Sequence, residues 1–436
     1  MSRKKNFLTW AAKLCCCLTM SMTGFGMITG TAFADGVQDV EAISEVFGDG
    51  EHLSAVILSY DKPILKESVS IDDFCVTNRV IKDAYVSKFP QKGNRGDSDG
   101  IYVVLELEAL PLAEQGVESH SAEDRAAREE QGFHGPTLGS HGNPQPLAVV
   151  SAEVRQNGIV KATDGSLYPP TENKSSSHTH QLVIEDFAQG TFEDAKQDNA
   201  KLMYNLYVPK NRAPQKKYPL VVFMHDAGVV SPEIKATLSQ GKGAVIWASE
   251  EWQEKHPCFV LAPQYDTVIV DDKYQYGPEL DRTVHLIEHL VNEYPIDRHR
   301  IYNTGQSMGG MTSIAMDVKY QDFFAASYLV ACKWDANVTM PLGNQNIWAV
   351  ASEGDPGAAP SMKEILGNLE QSGAKVLRMT ADLEQGDSKI NEIAADMIRP
   401  NCHIYYTLYT GGSHRSTWQH AYDLLPAMEW IFSQRR

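Results

Sequence analysis

The 436-residue chain has little cysteine, little positive charge and few long apolar runs, and each shortage closes a class of function. Of the seven cysteines, Cys15, Cys16 and Cys17 sit near the N-terminus, and Cys75, Cys258, Cys332 and Cys402 are scattered. No C-x-x-C occurs, which argues against a zinc knuckle or a thioredoxin-like site. The four scattered cysteines allow three pairings, and the sequence does not choose among them. Cys258, Cys332 and Cys402 fall in or beside predicted core strands, where buried free thiols are common. Acidic residues outnumber basic ones 56 to 39, for a net charge of −17. Such a surface repels nucleic acid and anionic membranes, so neither is expected as a partner.

One long apolar run exists, from about Phe7 to Ile28, behind Arg3, Lys4 and Lys5 and ahead of Ala32-Phe33-Ala34. A basic start, an apolar core interrupted by Lys13 and an A-x-A site read as a signal peptide over 1–34, cleaved near Ala34. The expected location is therefore secreted, in the extracellular space or cell envelope, with no membrane association after cleavage. Small residues do not precede the Cys15–Cys17 cluster as lipidation would need. Loss of 1–34 removes Arg3, Lys4, Lys5 and Lys13 but no acid, which moves the net charge to −21.

Two domains follow from length and pattern. Residues 35–178 are β-rich: Leu53–Tyr60, Phe74–Thr77, Ile101–Leu107 and Ala148–Val154 are short β-prone runs between polar turns. In one of them Ile101, Val103, Leu105 and Leu107 alternate with Glu106 and Glu108, the mark of a half-buried antiparallel strand. A small sandwich of immunoglobulin type is expected. An acidic insertion at about 110–146 breaks the pattern, with one short helix expected around Ala122–Gln131. Pro169 to Ser177 reads as a linker or exposed loop. His178 and His180 flank Thr179 there, but two histidines in a polar loop without carboxylate partners are usually solvent-exposed, so no metal is expected.

From about 179 to 436 hydrophobic strands alternate with helices. Tyr218–His225, Cys258–Ala262, Ala326–Cys332, Ile347–Ala351 and Cys402–Leu408 are the strands. Leu280, Val284, Ile287, Val291 and Tyr294 mark one face of a helix that Pro295 ends. Alternation of this kind gives an α/β fold, a mostly parallel sheet with helices on both faces. Its chemistry belongs at the carboxyl ends of the strands.

There lies Gly305-Gln306-Ser307-Met308-Gly309, after the strand Arg300–Thr304 and before a helical stretch. Strand, sharp turn, serine and helix is the context a G-x-S-x-G nucleophile elbow requires. A serine hydroxyl needs a base, and the base needs a carboxylate. Asp355 follows a strand in Ser352-Glu353-Gly354-Asp355-Pro356 and is the leading acid, ahead of Asp335 and Glu353. His414 sits in a glycine-rich turn after the last strand and is preferred over His420. The loop His225-Asp226-Ala227-Gly228 follows an early strand, where an oxyanion donor belongs. The amide of Ala227 or Asp226 would act with that of Met308. Tyr265, Tyr274, Tyr276 and Trp334 follow strand ends and could stack on substrate, although filling the loops explains them as well.

Together, Tyr294-Pro295-Ile296-Asp297, the stretch Arg300 to Gly310, Leu261-Ala262-Pro263-Gln264 and His414-Arg415-Ser416-Thr417-Trp418 resemble secreted α/β-hydrolases of the esterase D, feruloyl esterase and polyhydroxybutyrate depolymerase-like group. More narrowly, Phe47-Gly48-Asp49-Gly50 through Ser59-Tyr60-Asp61 and Leu206-Tyr207-Val208-Pro209 resemble the "predicted peptidase" esterases with an N-terminal immunoglobulin-like domain. The resemblance implies a carboxylesterase with Ser307, Asp355 and His414 as triad. It acts on short-to-medium acyl esters, with acyl groups on polysaccharide among the expected substrates. It implies no cofactor, and a homo-oligomer is allowed. A serine peptidase of prolyl-oligopeptidase type is the nearest alternative, since it uses the same triad. A non-catalytic binding protein on a hydrolase fold is the third reading. Asp226, where a small residue is commoner, and Asn303, polar in a strand normally apolar, depart from the group's pattern.

Overall fold

The computed structural model describes residues 36–96, 99–110, 137–141, 147 and 149–436. The expected signal peptide, the expected helix around Ala122–Gln131 and most of the acidic insertion lie outside these residues. Two compact units form. The smaller comprises the described residues up to Glu45, those from Glu51 to 110, and those from 149 to Leu182. The larger comprises Val46–Gly50, residues 137–141 and 147, and Val183–Arg436.

The smaller unit is a β-sandwich. Its strands are β1 (Asp39–Phe47), β2 (Gly50–Ile64), β3 (Phe74–Val76), β4 (Ile81–Ser87), β5 (Gly100–Leu107), β6 (Glu153–Gln156), β7 (Val160–Lys161), β8 (Leu167–Tyr168), β9 (Lys174–Ser175) and β10 (His178–Gln181). One sheet runs β10-β1-β2-β5-β4, another β3-β6-β9, and β7 pairs with β8. Val56, Leu58, Val103 and Leu105 of the first sheet meet Phe74, Val76 and Val154 of the second in one apolar core. Each such side chain contributes about 1.5–3 kcal/mol by leaving water.

Part of the expected linker or exposed loop is paired strand. Lys174–Ser175 pairs with β6, and His178–Gln181 adds a parallel edge strand to β1. The unit therefore continues through Leu182, beyond the expected boundary at 178. The sequence hides this strand because His-Thr-His-Gln carries no apolar residue to mark a buried face.

The larger unit is built on β11 (Phe187–Asp194), β12 (Ala200–Tyr207), β13 (Tyr218–Met224), β14 (Phe259–Gln264), β15 (Ile296–Gln306), β16 (Ala326–Val330), β17 (Ile347–Ser352), β18 (Val376–Asp382) and β19 (Ile404–Thr410). They form one sheet in the order β11-β12-β14-β13-β15-β16-β17-β19-β18. β12 is antiparallel to both β11 and β14, and the remaining pairs are parallel. The principal helices are α1 (Glu279–Glu293), α2 (Met308–Lys319), α3 (Ala358–Gln371), α4 (Asp387–Met397), α5 (His414–Ala421) and α6 (Leu425–Ser433).

Strand β13 shows why both faces are covered. Leu220, Val222 and Met224 enter the core shared with α1, α2 and α3. Val221 and Phe223 enter the opposite core, shared with α4 and α6. A period of two with apolar residues on both sides is the signature of a fully buried parallel strand.

Cys258, Cys332 and Cys402 are buried free thiols, so none of them pairs with another. Burial pushes the Cys258 thiol up to about 12, which keeps it inert at ordinary pH.

Candidate active site

Three strand ends of the larger unit converge on one hydrogen-bonded line. β15 ends at Gln306, and Ser307 turns the chain into α2 with φ 53° and ψ −117°. Left-handed backbone at a non-glycine residue costs on the order of 1–3 kcal/mol and lifts the hydroxyl off the strand end. The turn is tight enough that a Cβ on Gly309 would lie 1.9 Å from the Met224 carbonyl oxygen. One on Gly305 would lie 2.5 Å from the Gly309 carbonyl carbon. Only glycine fits at either place.

His414 is the first residue of α5, directly after β19. Ser413 caps that helix: its hydroxyl accepts from the Ser416 amide, and the Ser416 hydroxyl accepts from the Ser413 amide. This capping box fixes where the imidazole starts. Nε2 of His414 lies 2.9 Å from Ser307 Oγ, and Nδ1 lies 2.5 Å from Asp355 Oδ2. Asp355 stands after β17 and its other oxygen accepts from the amides of Gly357 and Ala358, both at 2.9 Å. Burial pushes this carboxyl up, but the His414 hydrogen bond and charge and the two amides outweigh it and hold it below its ordinary value. Asp355 thus stays ionised beside the ring.

The other candidates lie elsewhere. The Asp335 carboxylate accepts from the Asn337 amide and side chain at 2.9 and 2.8 Å, a local turn. The Glu353 amide donates to Tyr409 O, and its side chain is exposed. His420 faces Asp387 at 3.7 Å, on the same helix as His414 but a turn and a half on.

After β13, the His225 ring is buried, with Nε2 accepting from the Tyr265 amide at 3.0 Å. Its Nδ1 therefore carries the proton and donates to Asp226 O at 2.7 Å. Burial lowers its pKa and keeps the ring neutral. The Asp226 amide donates to Gln240 Oε1 at 3.4 Å, so of the two expected oxyanion donors in this loop it already has an acceptor. The Asp226 carboxylate accepts from the Gly228 amide at 2.6 Å and from Gln306 Nε2 at 3.4 Å. Asp226 thereby ties the loop to the residue before Ser307. Gln240 and Gln306 carry no sequence signal of this role, because it depends on a long-range meeting of loop and elbow.

A cavity of about 200 Å³ opens beside this loop, lined among others by Asp226, Gly228, Val229, Gln240, Arg415 and Trp418. The Trp418 ring meets His414 edge-on, centroids 5.2 Å apart. Trp418 is an aromatic wall beside His414 that lies outside the candidates for substrate stacking; its place four residues after His414 on a helix is the sequence signal for it.

The four proposed stacking residues fare differently. Tyr265 is 1% and Trp334 4% exposed, and both are core residues rather than binding surface. The Tyr265 hydroxyl bonds Thr283 at 2.9 Å, and Trp334 packs on Tyr274. Tyr276 is 42% exposed, with the Lys319 ammonium 5.0 Å over its ring. A strand end can point a side chain inward as well as outward, and the sequence does not separate the two.

A family model described as the esterase Ig-like N-terminal domain matches residues 39–169. The solved structure of a thermostable esterase superposes with a TM-score of 0.72 at 27% identity, over 92% of this chain and 100% of that one. This chain has the α/β-hydrolase fold behind an immunoglobulin-like front domain of the kind found in esterases. A feruloyl esterase module from Clostridium thermocellum, solved with sinapinate, gives a TM-score of 0.38 at 16% identity, over 55% of this chain and 87% of that one. A ferulic acid esterase from Anaeromyces mucronatus gives 0.37 at 13%, over 56% and 88%. No curated protein matches the chain. Among the described residues, no helix is long and apolar enough to cross a membrane.

Proposed function

We propose that the protein is a secreted serine carboxylesterase that cleaves short-to-medium acyl esters through an acyl-enzyme. One observation carries this reading: Ser307 Oγ, the His414 ring and the Asp355 carboxylate form a continuous hydrogen-bonded line. His414 Nε2 takes the proton as Ser307 attacks the ester carbonyl, and Asp355 stabilises the imidazolium. The Met308 amide, at the positive N-terminal end of α2, and the Ala227 amide hold the oxyanion. His414 then protonates the leaving alcohol, and water repeats the sequence to free the acid.

The cavity of about 200 Å³ beside the oxyanion loop suits a short-to-medium acyl or alcohol group. Acyl groups on polysaccharide fit the same chemistry. A non-catalytic role would leave Ser307 and His414 apart, and their 2.9 Å separation counts against it.

The test is hydrolysis of p-nitrophenyl acetate, butyrate and octanoate by the protein beside Ser307→Ala. Turnover of the shorter esters that vanishes in the variant is expected. Folded protein that ignores all three esters but cleaves a peptide panel would replace this reading with the peptidase one.

A further inference from the structure

The His178-Thr179-His180 segment takes no part in ester hydrolysis, and the front sandwich gives it a setting the sequence did not show. Strand β10 is held at both ends: the Ser177 amide donates to Val40 O at 2.8 Å and the Leu182 amide to Ser44 O at 2.9 Å. Between them the Thr179 hydroxyl donates to Val150 O at 2.6 Å. Side chains alternate along a strand, so Thr179 points one way and His178 and His180 both point the other. The two rings meet edge to face with centroids 4.5 Å apart. Their ligand-capable nitrogens lie within 4.8 Å of each other.

The pairing register supplies a third group. Glu41 of β1 stands opposite His178, and Ile43 opposite His180, in a parallel pair. Glu41 is therefore on the same face as both rings. Its Oε2 lies 3.5 Å from His180 Nε2. That oxygen is shielded from solvent and accepts no hydrogen bond. A carboxylate oxygen out of water and without a donor is costly unless a cation meets it. A histidine–glutamate ion pair would account for one ring but not for a second ring beside it.

We propose that Glu41, His178 and His180 form a zinc site on the edge of the sandwich. Two imidazoles and one carboxylate, with water in the fourth position, are a ligand set that zinc accepts. Ligand atoms on one tetrahedral zinc lie roughly 3.3 Å apart, close to the 3.5 Å already present between Glu41 and His180. His178 is exposed and free to rotate the remaining distance. The role is structural: the ion clips the edge strand β10 to β1 and gives Glu41 its partner.

The experiment is calorimetric titration of the tag-free, chelator-treated protein with zinc chloride, beside His178→Ala/His180→Ala and Glu41→Gln. One zinc per chain is expected, with binding lost in the double variant and weakened at least roughly 10-fold in Glu41→Gln. A zinc-dependent rise in melting temperature should appear in the wild type and not in the double variant. Should the double variant fail to fold, His178→Gln alone serves, since His178 is exposed, and the same 10-fold weakening is expected. Absence of zinc binding by the wild type, or equal binding by wild type and histidine variants, overturns the proposal. Equal binding by Glu41→Gln removes Glu41 from the site and overturns it as stated.

Discussion

The core of the front sandwich and the elbow of the hydrolase sheet treat buried amides in opposite ways. In the sandwich, Gln156 is buried between the sheets with both ends bonded. Its Nε2 donates to Gly158 O, Tyr168 O and Pro169 O at 2.9–3.1 Å, and its Oε1 accepts from the Tyr60 hydroxyl at 2.8 Å. Behind the elbow, Asn303 of β15 donates to Asp317 Oδ1 of α2 at 3.0 Å. The remaining oxygens, Asn303 Oδ1 and Asp317 Oδ2, are buried without partners. A satisfied amide holds two sheets together, whereas an incompletely satisfied pair places a titratable group against the nucleophile's own strand and helix. The first is architecture, and the second links the elbow to pH.

The sharpest break between the two regions is chemical. Ser307→Ala or His414→Ala should lower kcat for a p-nitrophenyl ester by roughly 10⁴-fold or more, while the melting temperature stays put. Equal loss from a sandwich substitution such as Gln156→Ala, with that variant still folded, would undo the distinction.

Packing comes next. Trp334→Ala should cost about 3–5 kcal/mol in denaturant unfolding, as expected for a core indole. If the variant instead kept its stability and raised KM, Trp334 would be a binding residue after all.

Asp317 supplies a pH test. Burial pushes its carboxyl up to about 7, against the opposing influence of the Ser327 and Asn303 side chains. In the unfolded chain it ionises near 3.8. Between those values the unfolded state loses its proton and the folded state keeps it, so stability from this group falls as pH rises from about 4 to 7 and is flat above. The drop is on the order of 4 kcal/mol, at about 1.4 kcal/mol per pH unit. Asp317→Asn should remove that slope and be the more stable protein at pH 8. Parallel stability curves for the two proteins would contradict this.

The smallest effect is at the surface. Tyr276→Ala should change stability by no more than about 0.5 kcal/mol, measured by the same unfolding, because its ring is exposed beneath Lys319. A larger loss would move it into the core with Trp334.

How much of this was legible in the sequence depended on how local each signal was. The strands β13, β14 and β15 announce themselves as apolar runs, and the elbow as strand, glycine, serine and glycine. The Ser307, Asp355 and His414 positions could be named because each follows a strand end within a few residues. β10 could not be seen, since a polar edge strand has no apolar period. Glu41 could not be joined to His178 and His180, because 137 residues separate Glu41 from His178 and only the β1–β10 register brings them together. The inward turn of Tyr265 and Trp334 was illegible for the same reason: side-chain direction at a strand end is set by the neighbouring helices. Asn303 departs from the apolar pattern of its strand because its side chain bonds Asp317 of α2, a meeting that the strand alone does not show.

The account rests most heavily on Ser307 being a nucleophile that His414 activates. Brief exposure to a fluorophosphonate, followed by intact-mass and peptide-mass measurement, tests this directly. One covalent adduct per chain on the peptide holding Ser307 is predicted, slowed by orders of magnitude in His414→Ala. No adduct on the folded protein, or an undiminished rate in His414→Ala, would contradict it.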